Sequence, residues 1–226
     1  MNMPFYVAPE QVMKDRADYA RKGIARGRAL IALTFDEGIV IVAENASNTL
    51  RKVSEIYDRI AFAGVGRYNE FDQLRVAGVR HADMKGFSFS RDDVDARTLA
   101  NQYAQSLGQV FTHEMKPMEV EILVAEIGHD EDEPDQMFHI LYDGTVNDEN
   151  DFAVLGGEAE AIHSRFAEDY SASMTLAAGI TAAASALAGS ERTLVAADLE
   201  VAELARRNGR RTFRRVEGAE LEAMLA

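Results

Sequence analysis

Ala29-Leu30-Ile31-Ala32-Leu33-Thr34-Phe35-Asp36-Glu37-Gly38-Ile39-Val40-Ile41-Val42-Ala43 is the stretch from which the fold is read. Two apolar, partly β-branched runs flank a short turn segment that holds a glycine, the pattern of a hairpin. Neither run alternates apolar with polar residues, so both faces of each strand are expected to be buried. Leu50-Arg51-Lys52-Val53-Ser54-Glu55-Ile56-Tyr57 and Ile60-Ala61-Phe62-Ala63 read as a second hairpin around Asp58-Arg59, with Gly64 and Gly66 breaking the pattern after it.

Upstream, Pro9 suits a first helical turn, where a missing N–H costs nothing. Met13, Ala17, Ala20 and Ile24 then recur at helical spacing with charged residues between them, predicting an amphipathic helix over 9–25 that ends near Gly27. Downstream, helices are expected over 68–81 and 92–115, the second with Asp92 and Asp93 at its start. Strands follow at 120–127, 137–142 and 152–155, then helices at 158–168 and 174–188. A strand pair around Asn208-Gly209 and a short helix over 217–225 close the chain. Strands come in groups rather than alternating with helices, which argues against a doubly wound parallel sheet. The expected fold is α+β, a four-layer stack of two antiparallel sheets with helix pairs outside, in one domain over 1–226.

Composition narrows the function. The chain has 226 residues, 24 basic and 38 acidic, for a formal charge of −14. Such a field repels phosphate, so nucleic acid is not an expected partner. No apolar run reaches the ~18 residues that a membrane span needs, and none is expected to cross one. Cysteine is absent, which excludes disulfides, thiolate nucleophiles and cysteine-based zinc sites and fits a reducing, cytoplasmic setting.

Motifs for chemistry are few. Gly64-Val65-Gly66 precedes a helix, but Asn69 stands where the third glycine of a dinucleotide loop belongs. The five histidines, His81, His113, His129, His139 and His163, have no metal-ligand spacing. The acidic run Asp130 to Asp135 lacks the glycine and closing glutamate of a calcium loop. No Gly-x-Ser-x-Gly elbow occurs. Arg206, Arg207, Arg210, Arg211, Arg214 and Arg215 form the one basic patch; ion pairing within or between subunits is preferred to nucleic-acid contact. No cofactor, metal or catalytic residue is expected from residue chemistry alone.

Several segments together are specific. Tyr19-Ala20-Arg21 through Gly27, the strand from Ala29 to Phe35, Gly38-Ile39-Val40-Ile41-Val42-Ala43-Glu44, Lys52-Val53-Ser54-Glu55-Ile56-Tyr57-Asp58 and Ala63-Gly64-Val65-Gly66 resemble an α subunit of the 20S proteasome. Pro9-Glu10-Gln11-Val12-Met13, the run from Ala17 to Gly27 and Tyr68-Asn69-Glu70-Phe71-Asp72 point to the actinobacterial type. The likeness extends nearly to Phe213-Arg214-Arg215.

The resemblance implies the αββα sandwich of N-terminal-nucleophile hydrolases. Catalytic β subunits of that family open their first strand with a threonine whose amine is the base and whose hydroxyl is the nucleophile. Here Arg28-Ala29 stands there behind a whole helix, so the chain is expected to be no enzyme by itself but a subunit of a threonine-type endopeptidase complex. Glu44 and Lys52 stand near the positions of the β subunit's acidic and lysine partners. A self-contained N-terminal-nucleophile peptidase is the alternative. The implied partners are a proteasome β subunit and further copies of this chain in a heptameric ring. A ring-shaped AAA ATPase or ATP-independent activator, docking through its C-terminal tails, and unfolded, pupylated protein substrates complete the set.

Site residues follow from the same likeness. Lys52, Gly27 and Arg67 match a pocket that receives an activator's C-terminal carboxylate, though Arg67 replaces a common leucine. Spacing alone offers Lys52 another reading, an exposed strand lysine paired with Glu55. Residues 1–8 are expected to be a gate tail ahead of an N-terminal helix over 9–26. Met3, Pro4, Phe5, Tyr6, Val7 and Ala8 would occlude the pore, and Arg21 would support them. The Tyr-Asp-Arg gating triplet of other α subunits is absent, and an apolar tail of this kind is also ordinarily just a loose terminus.

Overall fold

The computed structural model describes residues 8–47, 49–130 and 133–226. Helix α1 (Pro9–Ala25) leads into a hairpin of β1 (Leu30–Phe35) and β2 (Gly38–Glu44), and a second hairpin of β3 (Val53–Tyr57) and β4 (Ile60–Gly66). Helices α2 (Tyr68–Ser88) and α3 (Ala96–His113) follow, then β5 (Val120–Glu126), β6 (Gln136–Ile140), β7 (Val146–Glu149) and β8 (Phe152–Leu155). Helices α4 (Ala159–Asp169) and α5 (Leu176–Ala188), strands β9 (Leu199–Ala205) and β10 (Phe213–Val216), and α6 (Ala219–Leu225) complete the chain.

Two five-stranded sheets result, ordered β10-β9-β2-β1-β8 and β3-β4-β5-β6-β7. Every pairing is antiparallel. Side chains alternate across a strand, so an apolar run serves two cores at once. In β2, Ile39, Ile41 and Ala43 point between the sheets, where they meet Ala61, Ala63, Leu123 and Ala125. Val40 and Val42 point outward, among Ile180 of α5 and Phe166 of α4. The second sheet presents Phe62, Ile122 and Val124 to Phe71 and Leu74 of α2 and to Leu99, Tyr103 and Leu107 of α3. Each such fully buried Leu, Ile or Phe stabilises by about 1.5–3 kcal/mol.

Some boundaries differ from expectation, with local causes. Residues 50–52 precede β3 instead of joining it. The strand β4 runs through Gly64 and Gly66 rather than stopping there. Gly66 has φ of 98°, and a Cβ on it would lie 2.0 Å from the Glu119 carbonyl oxygen, so the glycine permits close pairing with β5. Helix α2 continues past His81 to Ser88. The helix expected at 92–115 is a turn at Arg91–Asp93, where the Asp93 carboxylate accepts from the Ser90 amide at 3.1 Å, followed by α3. Asp95 caps α3, accepting from the Thr98 amide at 2.7 Å, so Asp92 and Asp93 do not open it. Strand β7, Val-Asn-Asp-Glu, is a polar edge strand and shows no apolar pattern.

The basic hairpin proves to be a clamp, as ion pairing required. Arg206 pairs with Asp135 at 2.5 Å, Arg210 with Asp58 at 3.6 Å and Arg215 with Glu200 at 2.8 Å. Arg207 and Arg214 converge on Glu203 at 2.6 and 2.8 Å, and Arg211 takes Glu55. Arg215 also donates to the Val53 carbonyl at 2.7 Å, tying β10 of one sheet to β3 of the other.

His139 is a second crosslink. Its ring nitrogens stand 3.5 Å from Glu121 and 3.7 Å from Glu149, bridging β5, β6 and β7. Burial works against the imidazolium, but attraction to the two nearby carboxylates more than offsets it and pushes the pKa up to about 9. The stabilisation is therefore fully present below the unfolded value near 6.5 and is lost as pH rises through about 9. We expect urea midpoints to fall between pH 7 and 10, and His139→Gln to flatten that slope. An unchanged slope in the variant rules out this histidine as its source.

Candidate functional site

The expected pocket residues lie where α1 hands over to β1. Pro9 begins α1 without a side-chain cap, and the Ala8 carbonyl accepts from the Gln11 and Val12 amides at 2.9 and 3.2 Å. Ala20 and Ile24 of α1 are buried among Leu30, Ala63, Val65 and Leu155, so the helix closes the space between the sheets. Met13 of the expected apolar stripe remains 38% exposed.

Past the helix, the Gly27 amide donates to the Ile24 carbonyl at 2.9 Å. A Cβ on Gly27 would lie 3.4 Å from the Gly66 amide nitrogen, so the end of β4 runs alongside. Arg67 follows Gly66; its amide donates to the Glu119 carbonyl at 3.0 Å and its guanidinium pairs with the Glu119 carboxylate at 2.7 Å. Lys52 approaches from the other side, since the Gly64 amide donates to its carbonyl at 3.0 Å. Its ammonium donates to the Arg28 carbonyl at 2.6 Å. The structure thus places Lys52 and Gly27 side by side around residues 27–28 and 64–66, with Arg67 next in the chain but its guanidinium committed to Glu119.

Lys52 has no ion-pair partner among the described residues, because its neighbours are already engaged. Glu44 accepts from Arg28 at 2.5 Å and from Arg192 at 2.7 and 3.2 Å. Glu200 accepts from Arg215, from Asn45 and from the Lys52 amide at 2.8 Å each, and from the Val53 amide at 3.2 Å. Burial lowers the Lys52 pKa to about 8; Glu44 and Glu200 oppose the shift and Arg28 adds to it. The side chain is half-buried. Pairing with Glu55 does not occur, because Glu55 accepts from Arg211 instead, at 2.8 Å from its Nε. A cleft of about 660 Å³ opens beside Arg28, lined among others by Arg26, Gly27, Glu44, Arg165 and Arg192.

The other expected residues are not part of this group. Arg21 is exposed, 3.5 Å from Asp18 and over the Tyr142 ring at 5.7 Å. Met3, Pro4, Phe5, Tyr6 and Val7 lie outside the described residues. Thr34 is the first threonine in the chain. It sits within β1, its hydroxyl 2.6 Å from that of Tyr170. Sequence reasoning missed Glu200 and Arg28. A glutamate inside the apolar run of β9 was a usable signal, whereas a backbone carbonyl acceptor leaves none. No group of three or more metal-ligating side chains occurs among the described residues, and no helix there is long and apolar enough to cross a membrane.

Two antiparallel sheets packed face to face between helix layers, with a helix closing the space at one end, define an αββα sandwich of the N-terminal-nucleophile hydrolase type. A family model described as "Proteasome subunit" matches residues 24–203. The protein "Proteasome subunit alpha" of Acidimicrobium ferrooxidans is 64% identical over 225 residues, covering 100% of this chain and 97% of that one. Its namesakes in Sanguibacter keddieii and Thermobifida fusca are 55% and 54% identical over 100% of this chain and 90% and 91% of theirs. The chain belongs to the proteasome subunit family, and its likeness is to the α-type members.

Proposed function

We propose that this chain is a non-catalytic α-ring subunit of a proteasome core particle, which scaffolds the barrel, gates substrate entry and docks activators. Seven copies form the ring, a threonine-initiated β subunit supplies the chemistry, and unfolded, pupylated proteins in the cytoplasm are the substrates. The observation that carries docking is the Lys52 ammonium, half-buried against the Arg28 carbonyl and ion-paired with no carboxylate among the described residues. An ammonium so placed suits an incoming C-terminal carboxylate, and Gly27 adjoins the residue whose carbonyl holds it. A ring ATPase or an ATP-independent activator presents such tails.

Two features support a non-catalytic role. Helix α1 precedes β1 and its Ile24 fills the space between the sheets. The first threonine, Thr34, is internal to β1 and hydrogen-bonded. The purified α chain is therefore expected to hydrolyse no fluorogenic peptide, and to become part of an active barrel when mixed with a threonine-initiated β chain. Steady turnover by α alone, blocked by a threonine-directed inhibitor, would establish the self-contained peptidase instead.

The gate belongs to the tail from Met3 to Ala8, with Arg21 as support. Burying Met3, Phe5, Tyr6 and Val7 around a ring axis competes with the entropy of ordering them, about 1–2 kcal/mol per residue. Closure is thus marginal and readily reversed. Deleting residues 1–8 is expected to raise peptide hydrolysis by the assembled barrel several-fold, in the manner of faster entry. Equal rates for intact and truncated barrels, with short peptides and with an unfolded protein, would remove the tail as a gate.

A further inference from the structure

Positive charge that no carboxylate neutralises gathers at the first helix. The first 28 residues hold six basic and three acidic side chains, in a chain with 24 basic and 38 acidic. From Tyr19 to Phe35 there are Arg21, Lys22, Arg26 and Arg28 and no acidic residue. The basic hairpin is different, since all six of its arginines pair with carboxylates. Lys22 and Arg26 are exposed and pair with no carboxylate among the described residues. Arg26 borders the cleft that holds Glu158 and Glu191, yet bonds to neither. Arg21 has only Asp18, at 3.5 Å.

Helix geometry aims these two cations outward. Ala20 and Ile24 of α1 face the sheets, and at about 100° per residue Lys22 lies on the opposite side. Arg26, which ends the helix, follows one turn later, about 6 Å along the axis. It stands two residues ahead of Arg28, whose carbonyl holds the Lys52 ammonium at 2.6 Å. The negative end of α1 favours a cation in its last turn, but exposure leaves both side chains open to a further anion.

We propose that Lys22 and Arg26 select activators whose C-terminal tails carry acidic side chains a few residues ahead of the terminal carboxylate. The proposal rests on the docking reading of Lys52 above and adds the chemistry of the partner. An extended tail advances about 3.3 Å per residue, so with its terminal carboxylate at Lys52 the side chains about three to five residues upstream pass Arg26 and Lys22. An aspartate or glutamate there meets a cation without displacing an existing carboxylate. A chain of charge −14 otherwise repels an acidic partner, so this positive strip also sets where such a tail first lands. Each exposed pair is worth at most about fivefold in affinity, and salt screens it.

The test measures binding of two labelled tail peptides of equal length to the barrel assembled from full-length α and β. One carries glutamates about three and five residues ahead of its terminal carboxylate, and the other carries glutamines there. We expect the glutamate peptide to bind about tenfold more tightly at about 50 mM salt, and the two to bind about equally at about 0.5 M. In Lys22→Gln/Arg26→Gln, whose replacements are good helix formers at exposed positions, that preference should fall below about twofold. Equal affinity at low salt, or a preference that survives the double variant, overturns the proposal. Loss of the ring in the double variant, read by native mass, assigns this face to a neighbouring copy and also overturns it. Lys52→Ala keeps the two readings apart. Loss of glutamine-peptide binding there upholds docking whatever the result for Lys22 and Arg26; retained binding overturns docking and, with it, the placement of the tail along α1.

Discussion

Lys52→Ala is expected to abolish stimulation by a ring ATPase or a tail peptide, while the barrel still assembles and still hydrolyses short peptides without an activator. A charge-assisted hydrogen bond to a carboxylate contributes about 1.5–3 kcal/mol, or roughly tenfold to a hundredfold in affinity for each tail. Several tails engage one ring, so the loss of avidity exceeds the loss at one site. The structure predicts little collateral damage. The ammonium's one observed partner is the Arg28 carbonyl, and at a half-buried position water can replace it. The lowered pKa adds a signature in the intact protein. Lys52 loses its charge as pH rises through about 8, so tail binding should weaken from pH 7 to pH 9, and bound carboxylate should delay that loss. Stimulation unchanged in Lys52→Ala, or independent of pH over that interval, refutes the assignment of Lys52 to docking.

Glu200→Ala is expected to cost about 3–5 kcal/mol of stability, the range for breaking a buried ion pair from one side. Its side chain is 2% exposed and pairs with Arg215. It also accepts from Asn45 and from the backbone amides of Lys52 and Val53. One carboxylate thus joins β9 and β10 of the first sheet to the approach of β3 in the second. Its removal leaves a guanidinium uncompensated and two amides without their acceptor. For a chain of this size, the loss corresponds to a fall of about 6–20 °C in Tm. Glu200→Gln keeps one acceptor oxygen and should lose less. Because the carboxylate also positions the Lys52 backbone, stimulation by activators should fall in both variants even under conditions where they stay folded. A urea midpoint within error of wild type would show that the cluster contributes nothing net.

How much of this was legible depends on the kind of signal. Residues 29–43 announced a doubly buried hairpin because period-two alternation is missing when both faces meet a core. The register confirms it, with Leu30 opposite Ala43 and Phe35 opposite Gly38. Helix α1 was legible from Pro9 and the spacing of Ala20 and Ile24. Strand β7 was not, since an edge strand can be polar on both faces. The start of α3 was misplaced because three aspartates, Asp92, Asp93 and Asp95, compete for the cap, and the choice depends on how the turn at Arg91–Asp93 packs.

By itself the sequence determined the sheet-on-sheet layering, the first helix, the family likeness and the identity of Lys52 as a residue to examine. These rest on periodicity and local chemistry, which residues near one another in the chain carry without help. Tertiary structure decided what Lys52 does with its charge. Glu55 was the nearest carboxylate in sequence, yet it accepts from Arg211, 156 residues away. Glu44 was taken by Arg192 across 148 residues and Glu200 by Arg215 from the neighbouring strand. Charge pairing is a competition among all groups that the fold brings within a few ångströms, and its strength depends on how much water the packed chain excludes. Only once those partners were assigned did an ammonium with no ion-pair partner among the described residues remain beside Gly27 and Arg28.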